Sequence, residues 1–144
     1  MSVLEPEAPD FLDTNILVYA WDSGSPAKQR VARELLTRAI AGEMMISAQV
    51  LGEFTATLLH KLRPQVAAQE VKLLLGVLEP IRRVATDAAT VRRALDAHLE
   101  YGLHFYDGMI VAAAELGGCR RIFSEDLNAG QSYFGVTVEN PFRA

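Results

Sequence analysis

The stretch FLDTNILVYAWD, residues 11–22, places an acid, a threonine and an asparagine at the head of an otherwise apolar run. An ionised carboxylate is expensive to bury unless something pairs with it. Asp13 therefore either caps a helix or faces a positive partner that its own neighbourhood does not encode. Residues 10–13 read as a short strand that runs straight into a helix from Thr14 to about Trp21. A strand that hands its chain to a helix across an acid is the start of an α/β layer.

The rest of the chain repeats that alternation. SGSP, residues 23–26, is a turn in which Ser25 suits an N-cap and Pro26 a first helical position. A helix to Ala41 follows, with Val31, Leu35, Leu36 and Ile40 as its buried stripe, and Gly42 stops it. MMIS, residues 44–47, is a short apolar strand. The next helix runs from about Ala48 to Leu62, with Leu51, Phe54, Leu58 and Leu62 on one face. Pro64 breaks it and opens another helix to about Leu78. A strand is expected around residues 81–85, then a helix capped by Thr86 or Asp87 that ends near Gly102. Tyr106 to Leu116 forms the last helix, RIFS at 121–124 a strand, EDLNAGQ a loop and GVTVEN a final short strand. Strands alternating with helices predict an α/β fold with a mainly parallel sheet flanked by helices, built as one domain over residues 1–144.

Composition agrees with a globular chain. Half of the 144 residues are hydrophobic and 22% are charged, unlike a disordered segment. No apolar run approaches the ~18 residues of a membrane span. The start, MSVLEPEAPD, lacks the basic and apolar regions of a secretory signal. Cys119 is the only cysteine, which excludes an internal disulfide and agrees with a cytoplasmic setting. A net charge of −4 argues against broad charge-driven nucleic-acid binding, although carboxylates that hold cations make the whole-chain balance misleading. The basic pairs Lys61/Arg63, Arg82/Arg83, Arg92/Arg93 and Arg120/Arg121 suit solvated faces or helix C-termini.

Ligands of open α/β sheets bind beyond the carboxyl ends of the strands. Asp13 follows the first strand, Glu53 the second, and Glu125 and Asp126 the fourth, while Asp107 opens the helix leading into that fourth strand. The predicted topology lets Asp13, Glu53, Asp107 and Asp126 converge. Each also has a plainer role. Asp13 can cap its helix, Glu53 lies on a polar helix side, Asp107 complements a helix dipole, and Asp126 suits an Asx-turn. Two carboxylates about 5 Å apart repel by roughly 3 kcal/mol at an effective dielectric near 20. A cluster must then take up protons or bind a cation. No Lys or Arg stands in the acidic motifs, and oxygen ligands favour Mg2+ or Mn2+. Zinc does not fit, because His60, His98 and His104 lack ligand spacing. Thr14 and Asn15 are placed to hydrogen-bond the backbone or the acids.

FLDTNILVYA, ISAQVLGEF, YDGMIVAAAE and IFSEDLNAG, taken in order, resemble the four motifs of PIN-domain ribonucleases, most closely the VapC-type toxins of bacterial toxin–antitoxin pairs. The likeness covers nearly the whole chain, and GVTVENPF is similar to a common ending of the family. The resemblance implies an acidic quartet of Asp13, Glu53, Asp107 and Asp126, with metal held at Asp13, Asp107 and Asp126, and Asn15 and Ser124 in support. It implies Mg2+- or Mn2+-dependent cleavage of RNA phosphodiesters, a cytoplasmic homodimer, and silencing by a cognate antitoxin. Gly108 departs from the alanine that relatives often carry after the third acid, at a cost in helix propensity of about 1 kcal/mol. Two other readings remain open. A catalytically silent PIN fold would only hold RNA or a partner. A haloacid-dehalogenase-like phosphotransferase would need a second Asp where Asn15 stands.

Overall fold

Strand β1 (Asp10–Leu12) is buried at every residue because it is flanked on both sides by other strands. The computed structural model describes residues 8–143; the acidic start, residues 1–7, and Ala144 lie outside them. Helices α1 (Thr14–Tyr19) and α2 (Pro26–Ile40) lead to β2 (Met44–Ser47), and α3 (Ala48–His60) and α4 (Ala68–Leu78) lead to β3 (Arg82–Val84). Helices α5 (Ala88–Tyr101) and α6 (Phe105–Leu116) then return the chain to β4 (Arg121–Phe123), and β5 (Ser132–Tyr133) and β6 (Val136–Glu139) close the sheet. The sheet order is β3-β2-β1-β4-β6-β5, parallel except for the β5–β6 pair.

That order fixes where a ligand can go. The chain moves from β1 to β2 to β3 in one direction, then crosses to the far side of β1. Right-handed crossovers place α1–α4 on one face and α5–α6 on the other, which the packing of α1 on α2 and α3, and of α5 on α6, bears out. The reversal leaves a crevice beyond the ends of β1 and β4. Asp13 N donates to Phe123 O at 3.0 Å there, the last rung before β1 and β4 part.

The helices follow the expected pattern with local corrections. Phe54 and Leu58 are buried as expected, and Leu51 and Leu62 are half-buried. In α2, Ala32, Leu35 and Ala39 form the buried stripe, whereas Ile40 is 37% exposed at the helix end. Helix α4 begins at Ala68 rather than Pro64. Val66 N donates to Leu58 O at 3.0 Å, which folds residues 61–67 back over the end of α3 before a new helix can start. Strand β5 falls between the expected loop and the expected final strand, in residues the pattern left unassigned. Two residues are too short to show a period, and pairing with β6 through the Phe134–Gly135 turn defines it. Both turn residues have positive φ, +49° and +81°, as a tight hairpin of this hand demands. Phe134 is held there by Tyr101, whose hydroxyl accepts its N–H at 3.0 Å, and by Arg93, which lies 3.5 Å from its ring centre.

Gly108 explains its own departure from alanine. A Cβ at this position would meet Ala94 O of α5 at 2.8 Å. Arg93 pins the same two helices together through a two-point ion pair with Glu115, at 2.6 and 2.9 Å. Gly108→Ala gains about 1 kcal/mol of helix propensity but forces backbone apart, and overpacking costs typically 1–3 kcal/mol. The expected outcome is a net loss of roughly 1 kcal/mol, read as a lower midpoint in urea unfolding.

Candidate active site

Asp13 stands where β1 ends, and its side chain accepts Thr14 N at 2.7 Å as the N-cap of α1. The capping and the functional readings of this residue therefore coexist. Its second oxygen, Oδ2, accepts Ser124 Oγ at 2.8 Å and Asn15 Nδ2 at 3.2 Å. Every one of these donors is neutral. Asp13 is only 5% exposed, and burial is the main reason its carboxyl is pushed up to about 6. The bonds from Ser124 and Thr14 pull in the other direction, and the charges of Asp126 and Glu53 push it up further.

The neighbouring acids are tied to this centre through the DTN residues themselves. Asn15 Nδ2 also reaches Asp126 Oδ2, at 3.0 Å, so one amide spans two carboxylates. Asn15 Oδ1 accepts Glu125 N at 3.1 Å, which fixes the amide's orientation. Thr14 Oγ1 donates to Glu53 Oε1 at 2.8 Å. Glu53 is thus half-buried and bonded, not on the solvated side that its helix periodicity suggests. Ser124, fully buried, accepts both Asp126 N and Leu127 N at 3.2 Å and so shapes the loop that carries Asp126. Asp107 begins α6 on the opposite wall. Burial chiefly raises its pKa; His104 works against that and Asp126 adds to it.

All four expected acids line one cleft of about 520 Å³, together with Thr14 and Asn15. The sequence also left four lining or supporting residues unassigned. Tyr19 and Lys28 hold Glu125, the hydroxyl at 2.6 Å and the ammonium at 2.5 Å. Burial raises the Glu125 pKa, but the bonds from Lys28 and Tyr19 prevail and leave it lowered. Glu125 therefore carries its own cation and the other acids do not share it. Lys61 and Tyr106 complete the rim. Lys28 and Glu125 lie 97 residues apart, so no local pattern could have paired them.

The donor set suits a hard cation, being carboxylate oxygen throughout. Among the described residues no three acids, histidines or cysteines stand close enough to form a ready cage.

Loss of Ser124 is expected to show how tightly this corner is built. Ser124→Ala removes a donor to Asp13 and leaves the buried Leu127 N–H and the Asp126 N–H without their acceptor. Stability should fall by on the order of 2 kcal/mol, measured by urea unfolding.

The family model of the PIN domain matches residues 11–132, from the strand that leads into Asp13 to the end of the Asp126 loop. The chain belongs to the PIN-domain family. No curated protein sequence matches it significantly. Solved structures share the PIN fold. The VapC20 toxin of Mycobacterium tuberculosis, a sarcin–ricin loop cleaving toxin, aligns at 20% identity and TM-score 0.65, covering 81% of this chain and 91% of its own. A toxin–antitoxin complex from Klebsiella pneumoniae aligns at 19% identity and TM-score 0.67, covering 92% and 97%. The DNA-bound VapBC complex of Salmonella typhimurium aligns at 18% and 0.66, covering 93% and 98%. Against the PIN frame, the DTN residues of this chain form the hub of the cleft, since Asp13, Thr14 and Asn15 each bond a different part of it.

Proposed function

We propose that this PIN-domain chain is a divalent-metal-dependent endoribonuclease and the toxin of a toxin–antitoxin pair. The observation that carries the reading is a buried carboxylate, Asp13, bonded by neutral donors on a cleft that Glu53, Asp107 and Asp126 also line. Such a cluster is stable at neutral pH when a hard cation offsets it. The fold it shares with VapC20 and with toxin–antitoxin complexes supports the biological setting. A cognate antitoxin, an RNA substrate and a homodimeric assembly belong to the same proposal.

Asp13 and Asp107, from opposite walls, are the residues assigned to hold Mg2+ or Mn2+ directly, with Asp126 beside them. An ion there would make a bound water more acidic and offset charge on a phosphodiester. Asn15 keeps Asp13 and Asp126 facing one another despite their like charge. Thr14 engages Oε1 of Glu53, which leaves Oε2 to orient a water or accept its proton. Attack by water on phosphorus breaks the bond to the 3′ oxygen, leaving a 3′-hydroxyl and a 5′-phosphate.

Incubation of the purified chain with mixed RNA tests this. Cleavage is expected with Mg2+ or Mn2+ and none with a chelator, and every new end should carry a 5′-phosphate. RNA that binds but stays whole in both metals would instead make the chain a silent binding module.

A further inference from the structure

The acids occupy only part of the cleft; the remainder is lined by groups suited to a different portion of a ligand. Tyr106 is 56% exposed at the rim, immediately before Asp107. It is the one exposed aromatic among the described residues, all others being buried or half-buried. Its backbone is held, since Tyr106 O accepts Gln49 Nε2 at 3.2 Å and its N–H donates to His104 Nδ1 at 3.3 Å. The ring sits edge-on to Phe105, 5.3 Å between centres, which limits its swing. The other wall rises along α3. Glu53, Thr57 and Lys61 recur every fourth residue and so share one side of that helix, and all three line the cleft. Lys61, at the C-cap, is exposed and shows no ion-pair partner among the described residues.

We infer that Tyr106 and Lys61 bind single-stranded RNA beside the acid cluster, Tyr106 by stacking on an unpaired base and Lys61 by contacting a backbone phosphate. The inference rests on the ribonuclease reading and names two side chains outside the acid cluster that position its substrate. An aromatic face accepts any base but only one freed from a duplex. A cation at the far end of the acidic face keeps a polyanion attached where the acids alone would repel it. Tyr106 is bonded to Gln49 near the start of α3 and Lys61 caps its end, so a strand held at both runs along α3 past Glu53.

The test uses the full chain carrying Asp13→Asn, so that bound strands stay whole, and fluorescein-labelled RNA of mixed sequence. A series with 2-aminopurine at successive positions reports stacking. Both side chains are exposed, so Tyr106→Leu, Tyr106→Trp and Lys61→Met are expected to melt with the parent. Tyr106→Leu should weaken single-strand binding about 10-fold and abolish 2-aminopurine quenching, and Tyr106→Trp should restore both. Lys61→Met should lower the slope of log affinity against log salt by about 0.7. Duplex RNA should bind more weakly than the single strand. Unchanged affinity in Tyr106→Leu, an unchanged salt slope in Lys61→Met, or equal binding of duplex overturns the inference. If the native chain cleaves RNA in that case, the ribonuclease reading survives; if the chain neither binds nor cleaves RNA, both fall.

Discussion

Asp13→Asn is expected to lower RNA cleavage by at least about 100-fold, since even groups that merely support metal ligands are worth 10–100-fold. The substitution preserves shape and removes one charge at the hub of the cleft. It also disturbs bonding there. Asn15 Nδ2 and Ser124 Oγ both donate to Oδ2, and Ser124 already accepts two backbone N–H groups. An amide nitrogen in place of Oδ2 would therefore meet donors without acceptors. Asn15 keeps its bond to Asp126 but loses the one to Asp13, so its amide no longer ties the two positions together. The measurement is initial cleavage rate at saturating Mn2+, beside a circular-dichroism spectrum that shows the helices intact. A variant that cleaves at the parent's rate would remove Asp13 from the chemistry.

Metal-free protein should gain stability on mild acidification, and added Mn2+ should erase that gain. The Asp13 carboxyl binds its proton more tightly in the native state, at about 6, than its ordinary value of 3.8. The native state thus holds more protons between these values, and stability falls as pH rises through that window. The difference corresponds to about 3 kcal/mol, present in full below the window and lost above it. Asp107 shifts in the same direction. Glu125 shifts in the opposite direction, so its contribution is complete only above its ordinary value of 4.5, and the metal-free optimum is expected no higher than that value, below the pH at which Asp13 loses most of its share. Mn2+ binds the ionised form. At about pH 7.5 a concentration 100-fold above its dissociation constant adds about 2.7 kcal/mol, which in a chain of this size raises Tm by on the order of 10 °C. At about pH 5 the rise should nearly vanish, because protons occupy the same oxygens. Differential scanning calorimetry across that range checks the claim. A metal-free Tm that is flat with pH, or a Mn2+ shift of equal size at both ends, would contradict it.

The sequence revealed the sheet because Asp10–Leu12 and MMIS are short apolar runs that feed directly into helices. It revealed the acids because each follows a strand or opens a helix, positions that α/β topology brings to one edge. What it hid depended on distant partners. A lone glycine in a helix reads as a weakness until Ala94 O is found where a Cβ would be. Nothing in the sequence around Lys28 points to a partner, and only the fold sets it against Glu125. Lys61 does end a helix, as its place in the sequence suggested, but that helix end lines the cleft. Glu53 was obscured by periodicity, because Thr14 approaches it from another element. The Asp126 loop reads as a turn with or without a site, and Ser124 and Asn15 are what aim it.

The central claim is that these carboxylates together hold a hard cation. Isothermal titration of Mn2+ into the metal-free chain at about pH 7.5, well above the carboxyl values in play, tests it most directly. Saturable binding, lost in Asp13→Asn, is the predicted result. No heat of binding up to millimolar Mn2+, or an isotherm that Asp13→Asn leaves unchanged, would contradict it.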